Sequence, residues 1–293
     1  ASTAYLAAGL RGPRLAGALT LMQGSARAAL VGAPMLAGLL SSTLDVREMY
    51  GLAALLPACA ACATLLLAPP AATPAASPRD RRALDPATPA PDPSARITVA
   101  GMCLAEAGFV LVTVITYPYF LPLVHEIAPG LPPVATGVLF AAPHLCYLAA
   151  APVVLRRLRG RARVGLAAGY ALACASAVVH VLPALAPDAA GLVVLVFGRL
   201  LLGAALACGL PSLSLLATEA ASGRRPGRLF GVVEAGAKGG AVVAGVAASA
   251  LAGLSPVAPL IVSTVAGVAL AATTARFTSA RVPHESPERS SPT

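Results

Sequence analysis

The chain has 293 residues and a formal net charge of +9; 57% of its residues are apolar and only 11% are charged. Soluble domains are about 45–50% apolar and about 25% charged, so the composition excludes an ordinary soluble protein. We also expect no nucleic-acid-binding surface, because aromatic residues make up only 4% of the chain and the basic residues lie in gaps between apolar runs.

Eight apolar runs follow one another along the chain, and a bilayer crossing takes about 20 such residues. In lipid the backbone must satisfy its own hydrogen bonds, so each run predicts a helix. The predicted fold class is all-α, a polytopic membrane helix bundle with eight transmembrane helices. The predicted spans are 15–40, 49–68, 97–123, 134–155, 164–184, 191–217, 229–253 and 257–275.

The basic residues predict the orientation of these spans. Seventeen of the 21 Lys and Arg residues lie in every second gap, counting from the one before the first run, and the alternate gaps hold only Arg47. Basic loops stay on the cytoplasmic side of a membrane. We therefore expect a multi-pass protein of the inner or plasma membrane with both ends of this chain in the cytoplasm.

Two segments break the series of spans. Residues 69–96 are rich in Pro and contain Arg and Asp, which predicts an extended cytoplasmic linker. Residues 276–293 contain Ser, Pro, Glu and Arg and predict a disordered cytoplasmic tail. The linker separates residues 1–68, with two spans, from residues 97–275, with six.

The first span combines small residues with a proline. It reads Gly24-Ser-Ala-Arg-Ala-Ala-Leu-Val-Gly32-Ala-Pro34-Met-Leu-Ala37-Gly38. Small residues allow helices to approach closely, and proline bends a helix. The pattern resembles the glycine- and proline-rich motif in the fifth transmembrane helix of the major facilitator superfamily, best known in its antiporters. Here Ala33 comes before Pro34, and Ala37 replaces a glycine.

Two further segments carry the same resemblance. Arg199-Leu-Leu-Leu-Gly203 is similar to the Arg-x-x-x-Gly start of the family's fourth helix, at its tenth-helix counterpart. Residues 155–163 are similar to the family's basic loop between helices eight and nine, without its acidic residue. The resemblance implies that residues 1–68 hold helices five and six, that residues 97–275 hold helices seven to twelve, and that helices one to four are lacking. It also implies secondary active transport by alternating access, as proton-coupled efflux.

Ionisable residues inside the predicted spans form the candidate site. A charge at the centre of a membrane helix costs about 2.5–3.5 kcal/mol to insert, so such residues are functional hypotheses by default. The candidates for substrate contact or proton coupling are Glu106, Arg199, Glu234, Lys238, Arg27 and His144.

Glu106 and Arg199 are expected at similar depths, about 14 Å from the cytoplasmic end of one span and about 12 Å from the outer end of another. In a hydrocarbon core of about 30 Å the two can form an ion pair. A glutamate that alternates between an arginine and a proton couples proton movement to transport. A fixed pair that orients two helices, or no contact, are the alternatives.

The other candidates each allow two interpretations. Glu234 and Lys238 are four residues apart with Glu first, the favourable order for a pair within one helix, although substrate binding stays open. Arg27 either reaches the interior or extends toward the outer interface. His144 is either a packed, hydrogen-bonded side chain, which we favour, or part of a proton path.

Pro118 and Pro122 lie among the aromatic residues 117–120, near the outer end of the third span. They are candidates, with Gly24, Gly32, Pro34 and Gly38, for helix packing or gating. Local unwinding that gates the exterior is one interpretation. Aromatic anchoring at the membrane interface is the other, and we favour it.

The sequence contains no H-E-x-x-H, no paired aspartates inside a span and no G-x-S-x-G. We therefore expect no enzyme, no catalytic residue, no metal site and no cofactor. The expected partners are the lipid bilayer, a small-molecule substrate and protons, without nucleic acid. The alternative function is a non-transporting membrane partner or sensory protein, or an inactive transporter fragment.

Overall fold

The computed structural model describes residues 6, 10, 12–66, 98–185, 190–221, 226–255 and 257–279. In this part of the chain all regular structure is helical. The helices are α1 (Gly12–Leu40), α2 (Val46–Leu66), α3 (Val99–Val114), α4 (Tyr117–Ile127), α5 (Pro133–Arg157), α6 (Ala162–Leu185), α7 (Gly191–Ala221), α8 (Pro226–Ala252) and α9 (Ala258–Ser279).

Each predicted span coincides with helix, with α3 and α4 together forming the third. The predicted linker lies outside the described residues, and so does most of the predicted tail. The first residues of that tail, 276–279, instead continue α9.

Five helical segments are long and apolar enough to cross a membrane. They are Val99–Ile127, Pro133–Arg157, Ala162–Pro183, Gly191–Ala221 and Leu229–Leu251. The apolar part of α9, Ala258–Thr274, is shorter, and α1 and α2 are not among the five. In α1 the side chains of Gln23 and Arg27 interrupt the apolar sequence. Within the residues that the structure describes, the fold is thus all-helical with five candidate spans.

Large apolar side chains also cover the outside of the bundle. Leu21 is 76% exposed and Val193 is 70% exposed. Soluble proteins rarely present broad apolar patches of this kind, whereas lipid tails cover them at no cost. The surface therefore agrees with the length of the helices in supporting a membrane protein.

The helices pack in a connected set in which α6 lies against α7 and α9, α1 and α7 lie against α5, and α8 lies against α3. Hydrogen bonds between neighbouring residues define where a helix begins. At the start of α2, Glu48 N–H donates to Asp45 Oδ1 at 2.8 Å, and Asp45 N–H donates to Glu48 Oε2 at 2.9 Å. This reciprocal pair satisfies two backbone donors and fixes where α2 begins.

Two glycines bring α1 and α5 into backbone contact. A Cβ atom at Gly137 would lie 2.6 Å from the Pro34 carbonyl oxygen, and one at Gly38 would lie 2.8 Å from the Pro133 carbonyl oxygen. Only glycine fits at either position without movement of the helices. Of the predicted packing residues, Gly38 and Pro34 lie in this contact. Gly24 is 3.8 Å from Leu148 as measured in the same way, and Gly32 faces open space.

A break separates α3 from α4 at residues 115–116. Pro118 lies in the first turn of α4, where its missing N–H is tolerated, and the ring disfavours helical geometry in the residue before it. Thr113 and Thr116 donate their hydroxyls to carbonyls of the preceding turn, at 2.8 Å and 3.0 Å. Ile115 and Thr116 keep right-handed helical backbone angles, so the interruption is a slight one, and Pro122 lies inside α4 without ending it.

Two buried clusters occupy opposite ends of the bundle. One contains Met102, Phe109 and Tyr170 together with the second half of α7. The other contains Phe120, Leu139 and Leu195. Because α7 runs from the second cluster to the first, the two clusters are separated along the helix axes, and each surrounds a different ionisable residue.

Candidate functional site

Arg199 is completely buried in the cluster at the start of α7. Its Nε–H donates to the Leu139 carbonyl oxygen at 3.2 Å, and its Nη2 donates to the Phe140 carbonyl oxygen. Both carbonyls belong to α5. The remaining guanidinium nitrogen, Nη1, is buried and has no hydrogen-bond partner among the described residues.

Three aromatic rings surround the guanidinium of Arg199. Its Cζ atom lies 4.1 Å from the ring centroid of Phe120, 5.3 Å from that of Phe140 and 5.6 Å from that of Tyr117. A cation is attracted to the face of an aromatic ring, more strongly when water is excluded. The aromatic rings at the start of α4 that contact the guanidinium therefore face the interior of the bundle.

This arrangement contradicts the favoured interpretation of interfacial anchoring for Tyr117 and Phe120. Phe120 is only 2% exposed, and the third aromatic residue, Tyr119, donates its hydroxyl to the Ala248 carbonyl oxygen of α8. The spacing of Tyr117 and Phe120 places both on one helical face, which is a signal that could have predicted a shared contact. Phe140, from another helix, was not predicted.

Glu106 and Arg199 do not form the ion pair that their estimated depths allowed; among the described residues the salt bridge present is Lys238–Glu234. The helices are longer than the core thickness assumed. The 31 residues of α7 span about 46 Å. Arg199 contacts Tyr117 and Phe120, which lie 11 and 14 residues after Glu106, so about 16–21 Å separates the two charged residues along the axes.

Glu106 lies in the opposite cluster, between the buried residues Met102 and Phe109. Its Oε2 is buried and has no hydrogen-bond partner among the described residues. The charges of Glu234 and Arg27 act on its carboxyl group. Arg27 is half-buried and also acts on His144 and Tyr147. Both interpretations of Arg27 stay predictions.

Arg27 shares one face of α1 with two polar residues, Thr20 and Gln23. Thr20 Oγ1 and Gln23 Oε1 are both buried without a hydrogen-bond partner among the described residues. Tyr147 of α5 donates its hydroxyl to the Thr20 carbonyl oxygen at 3.3 Å. Sequence analysis missed Thr20 and Gln23, because an uncharged polar residue in a span carries little signal until its spacing from Arg27 is considered.

His144 is fully buried on α5, and neither of its ring nitrogens has a hydrogen-bond partner among the described residues. Its ring meets that of Tyr117 edge-on, with centroids 5.9 Å apart. The charges of both Arg27 and Arg199 act on it. The favoured interpretation is therefore correct in the packing and wrong in the hydrogen bonding. By contrast, His180 shares a hydrogen bond with the Ser176 carbonyl oxygen at 2.7 Å.

Glu234 and Lys238 form the pair that their spacing favoured, with 3.4 Å between Lys238 Nζ and Glu234 Oε1. The pair lies on an exposed face of α8, where the two side chains are 52% and 77% exposed. Gly239 on this face has open space beside it, whereas Gly236 and Gly240 contact α3. The glycines thus pack one side of α8 and leave the other uncovered.

The structure does not assemble the candidates into one site. It places Glu106 in one cluster and Arg199 in the other, Arg27 at about the depth of His144, and Glu234 and Lys238 on an outer face. Pro118 and Pro122 are exposed. In the part of the chain described, no three His, Cys, Asp or Glu side chains come together in a way that would hold a metal ion.

Comparisons with known proteins found no matching family model, no matching curated protein and no matching solved structure.

Proposed function

We propose that this chain belongs to a secondary transporter, which exports a small molecule in exchange for protons by alternating access. The observation that carries the proposal is the Glu106 carboxyl, whose Oε2 is buried inside a candidate membrane span without a hydrogen-bond partner among the described residues. An ionisable group held in such a place marks a proton or ion path more often than a structural contact.

Charges around Glu106 supply the two states that coupling needs. In this proposal burial in the apolar cluster disfavours the carboxylate form, and an approaching Arg27 favours it. Proton uptake removes both effects at once. A helix shift that changes the distance to Arg27 or Glu234 then changes the affinity for the proton, and proton binding in turn favours one helix arrangement.

The glycine contact between α1 and α5 also supports the proposal. The two helices meet through Gly38 and Gly137, and small residues at such a contact allow one helix to slide over the other. Alternating access requires this kind of movement between packed helices. The resemblance of α1 to the antiporter motif agrees with it. Eight crossings, the major facilitator fold and cytoplasmic termini are part of the same proposal.

Proton flux tests the proposal. The longest natural reading frame that contains this chain is reconstituted in proteoliposomes with an internal pH dye, and amphipathic cations and metabolites are added in turn. We expect substrate-triggered proton movement, and its loss in Glu106→Gln. Glu126→Gln is the matched control, because Glu126 is exposed at the end of α4. Wild-type coupling in Glu106→Gln refutes the coupling role, and absence of flux with any substrate argues against transport.

A second candidate function is that of a membrane partner protein that does not transport. It is favoured by uncovered faces within the described residues. Nearly all of α2 is exposed, including Tyr50 at 74% and Leu56 at 61%. The face of α8 with Glu234 and Lys238 is also uncovered. Native mass spectrometry of the chain extracted from its own membrane distinguishes the two, since this function requires a stoichiometric second protein and no flux.

A further inference from the structure

Arg199 presents one nitrogen that the surrounding protein does not use. Two of its three guanidinium nitrogens donate to carbonyls of α5, while Nη1 is buried and unpartnered among the described residues. A buried charge is stabilised by a counter-charge or by full hydrogen bonding. The aromatic rings offset part of the cost of burial, but they accept no hydrogen bond in the plane of the guanidinium.

Two more unpartnered groups lie beside the guanidinium. The hydroxyl of Tyr117, whose ring centroid is 5.6 Å from Arg199 Cζ, is buried without a hydrogen-bond partner in the described structure. The ring of His144 contacts that of Tyr117, and both of its nitrogens are also buried without a hydrogen-bond partner among the described residues. Three side chains from α4, α5 and α7 therefore carry hydrogen-bond donors that the described residues do not satisfy.

We propose that Arg199, Tyr117 and His144 form a binding site for a single carboxylate group. One carboxylate oxygen accepts from Arg199 Nη1–H, the other accepts from the Tyr117 hydroxyl, and the N–H of a neutral His144 donates to either. Hydrogen bonds between charged partners are shorter and about twice as strong as those between neutral ones. The carboxylate also neutralises the buried guanidinium, whose burial is least favourable when it has no counter-charge.

Charge and lining define the class of ligand. Arg199 is the cation that donates directly to the ligand, and a singly charged carboxylate neutralises its guanidinium, whereas a phosphate brings more negative charge and a larger desolvation cost into a dry interior. The surroundings are apolar and aromatic, with Phe120, Phe140 and Leu139 around the guanidinium. The ligand is therefore an apolar monocarboxylate. That this carboxylate is the transported substrate rests on the proposed function, whereas its binding does not.

Equilibrium binding tests the site without any need for transport. The purified full chain in lipid nanodiscs is titrated with benzoate by calorimetry, and with benzylamine, phosphate and chloride as comparisons. We expect saturable binding of benzoate, weaker binding of the inorganic anions, and none of the cation. Tyr117→Phe removes one hydroxyl and keeps the ring, and we expect it to weaken benzoate binding about tenfold or more. Tyr50→Phe, at an exposed position on α2, is the matched control.

Several outcomes would overturn the site. They are an unchanged affinity in Tyr117→Phe, no saturable benzoate binding to a folded wild type, and chloride binding as tight as that of benzoate. Arg199→Lys keeps the charge, and we expect it to lose at least as much affinity; if it does not fold, Tyr117→Phe still decides. The two proposals fail separately: saturable benzoate binding without coupled flux for any substrate refutes the transport proposal and leaves the site, whereas coupled flux of another substrate without benzoate binding refutes the site and leaves the transport proposal.

Discussion

Replacement of Gly137 by alanine tests the closest helix contact in the bundle. The added Cβ would lie 2.6 Å from the Pro34 carbonyl oxygen and 3.0 Å from the Pro34 carbonyl carbon. Ordinary van der Waals contact begins at 3.4 Å, so α1 and α5 must separate by several tenths of an ångström. Both partners are backbone atoms, which no rotamer change can move. Overpacking of this kind costs about 1–3 kcal/mol.

Gly32→Ala is the matched control for Gly137→Ala. It introduces the same methyl group in the middle of a helix, where nothing lies within 4 Å of the added atom. Both variants gain about 0.8–1 kcal/mol of helix propensity, so the difference between them isolates the steric cost of about 1–3 kcal/mol. At about 2–4 °C per kcal/mol, Gly137→Ala should unfold roughly 2–12 °C below Gly32→Ala.

The melting temperature of Gly137→Ala is measured in mild detergent by loss of the monodisperse peak in size-exclusion chromatography after heating. Gly38→Ala is a second variant in the same contact, with its added atom 2.8 Å from the Pro133 carbonyl oxygen. It should behave like Gly137→Ala. Equal melting temperatures for Gly137→Ala and Gly32→Ala would show that α1 and α5 do not meet in this way, and would remove the support that this contact gives to the proposed helix movement.

Two further predictions concern the packing of α8. In Gly240→Ala the added Cβ meets the Ala107 backbone of α3, whereas in Gly239→Ala it points into open space. We therefore expect only Gly240→Ala to lower the melting temperature in the same assay, by a cost of about 1–3 kcal/mol. Equal effects of the two variants would contradict the packing of α8 on α3. Tyr119→Phe removes the hydrogen bond to the Ala248 carbonyl oxygen and should cost about 1 kcal/mol, while Tyr50→Phe should change the melting temperature little. A loss of less than 1 °C in Tyr119→Phe would show that this bond does not form.

The helices could be predicted from the sequence because their cause is local. A long apolar run has no other way to satisfy its backbone in lipid, so its length defines a helix to within a few residues. The break before α4 could also be predicted, since Pro118 restricts the residue before it. Which glycines are in contact could not be. Gly32 and Gly38 lie in the same motif, yet only Gly38 faces α5.

The contacts of the charged residues could not be predicted, because they depend on depth and on rotation about the helix axis. Residue counts placed Glu106 and Arg199 at one depth within a core of about 30 Å. Helices that extend beyond that core place them in different clusters. Their surroundings come from other helices: the carbonyls of Leu139 and Phe140 for Arg199, and the charge of Arg27 for Glu106.

The break between α3 and α4 lies on the chain segment that connects the surroundings of the two buried charges. Glu106 lies on α3, and Tyr117, which contacts Arg199, begins α4. The two residues are thus joined by one chain segment whose regular hydrogen bonding is interrupted at residues 115–116. A continuous helix would carry a shift at Glu106 rigidly to Tyr117. Because Pro118 has no N–H to donate to the turn before it, the joint between α3 and α4 is less rigid than a continuous helix, and a change in the angle between them is one route from one charge to the other.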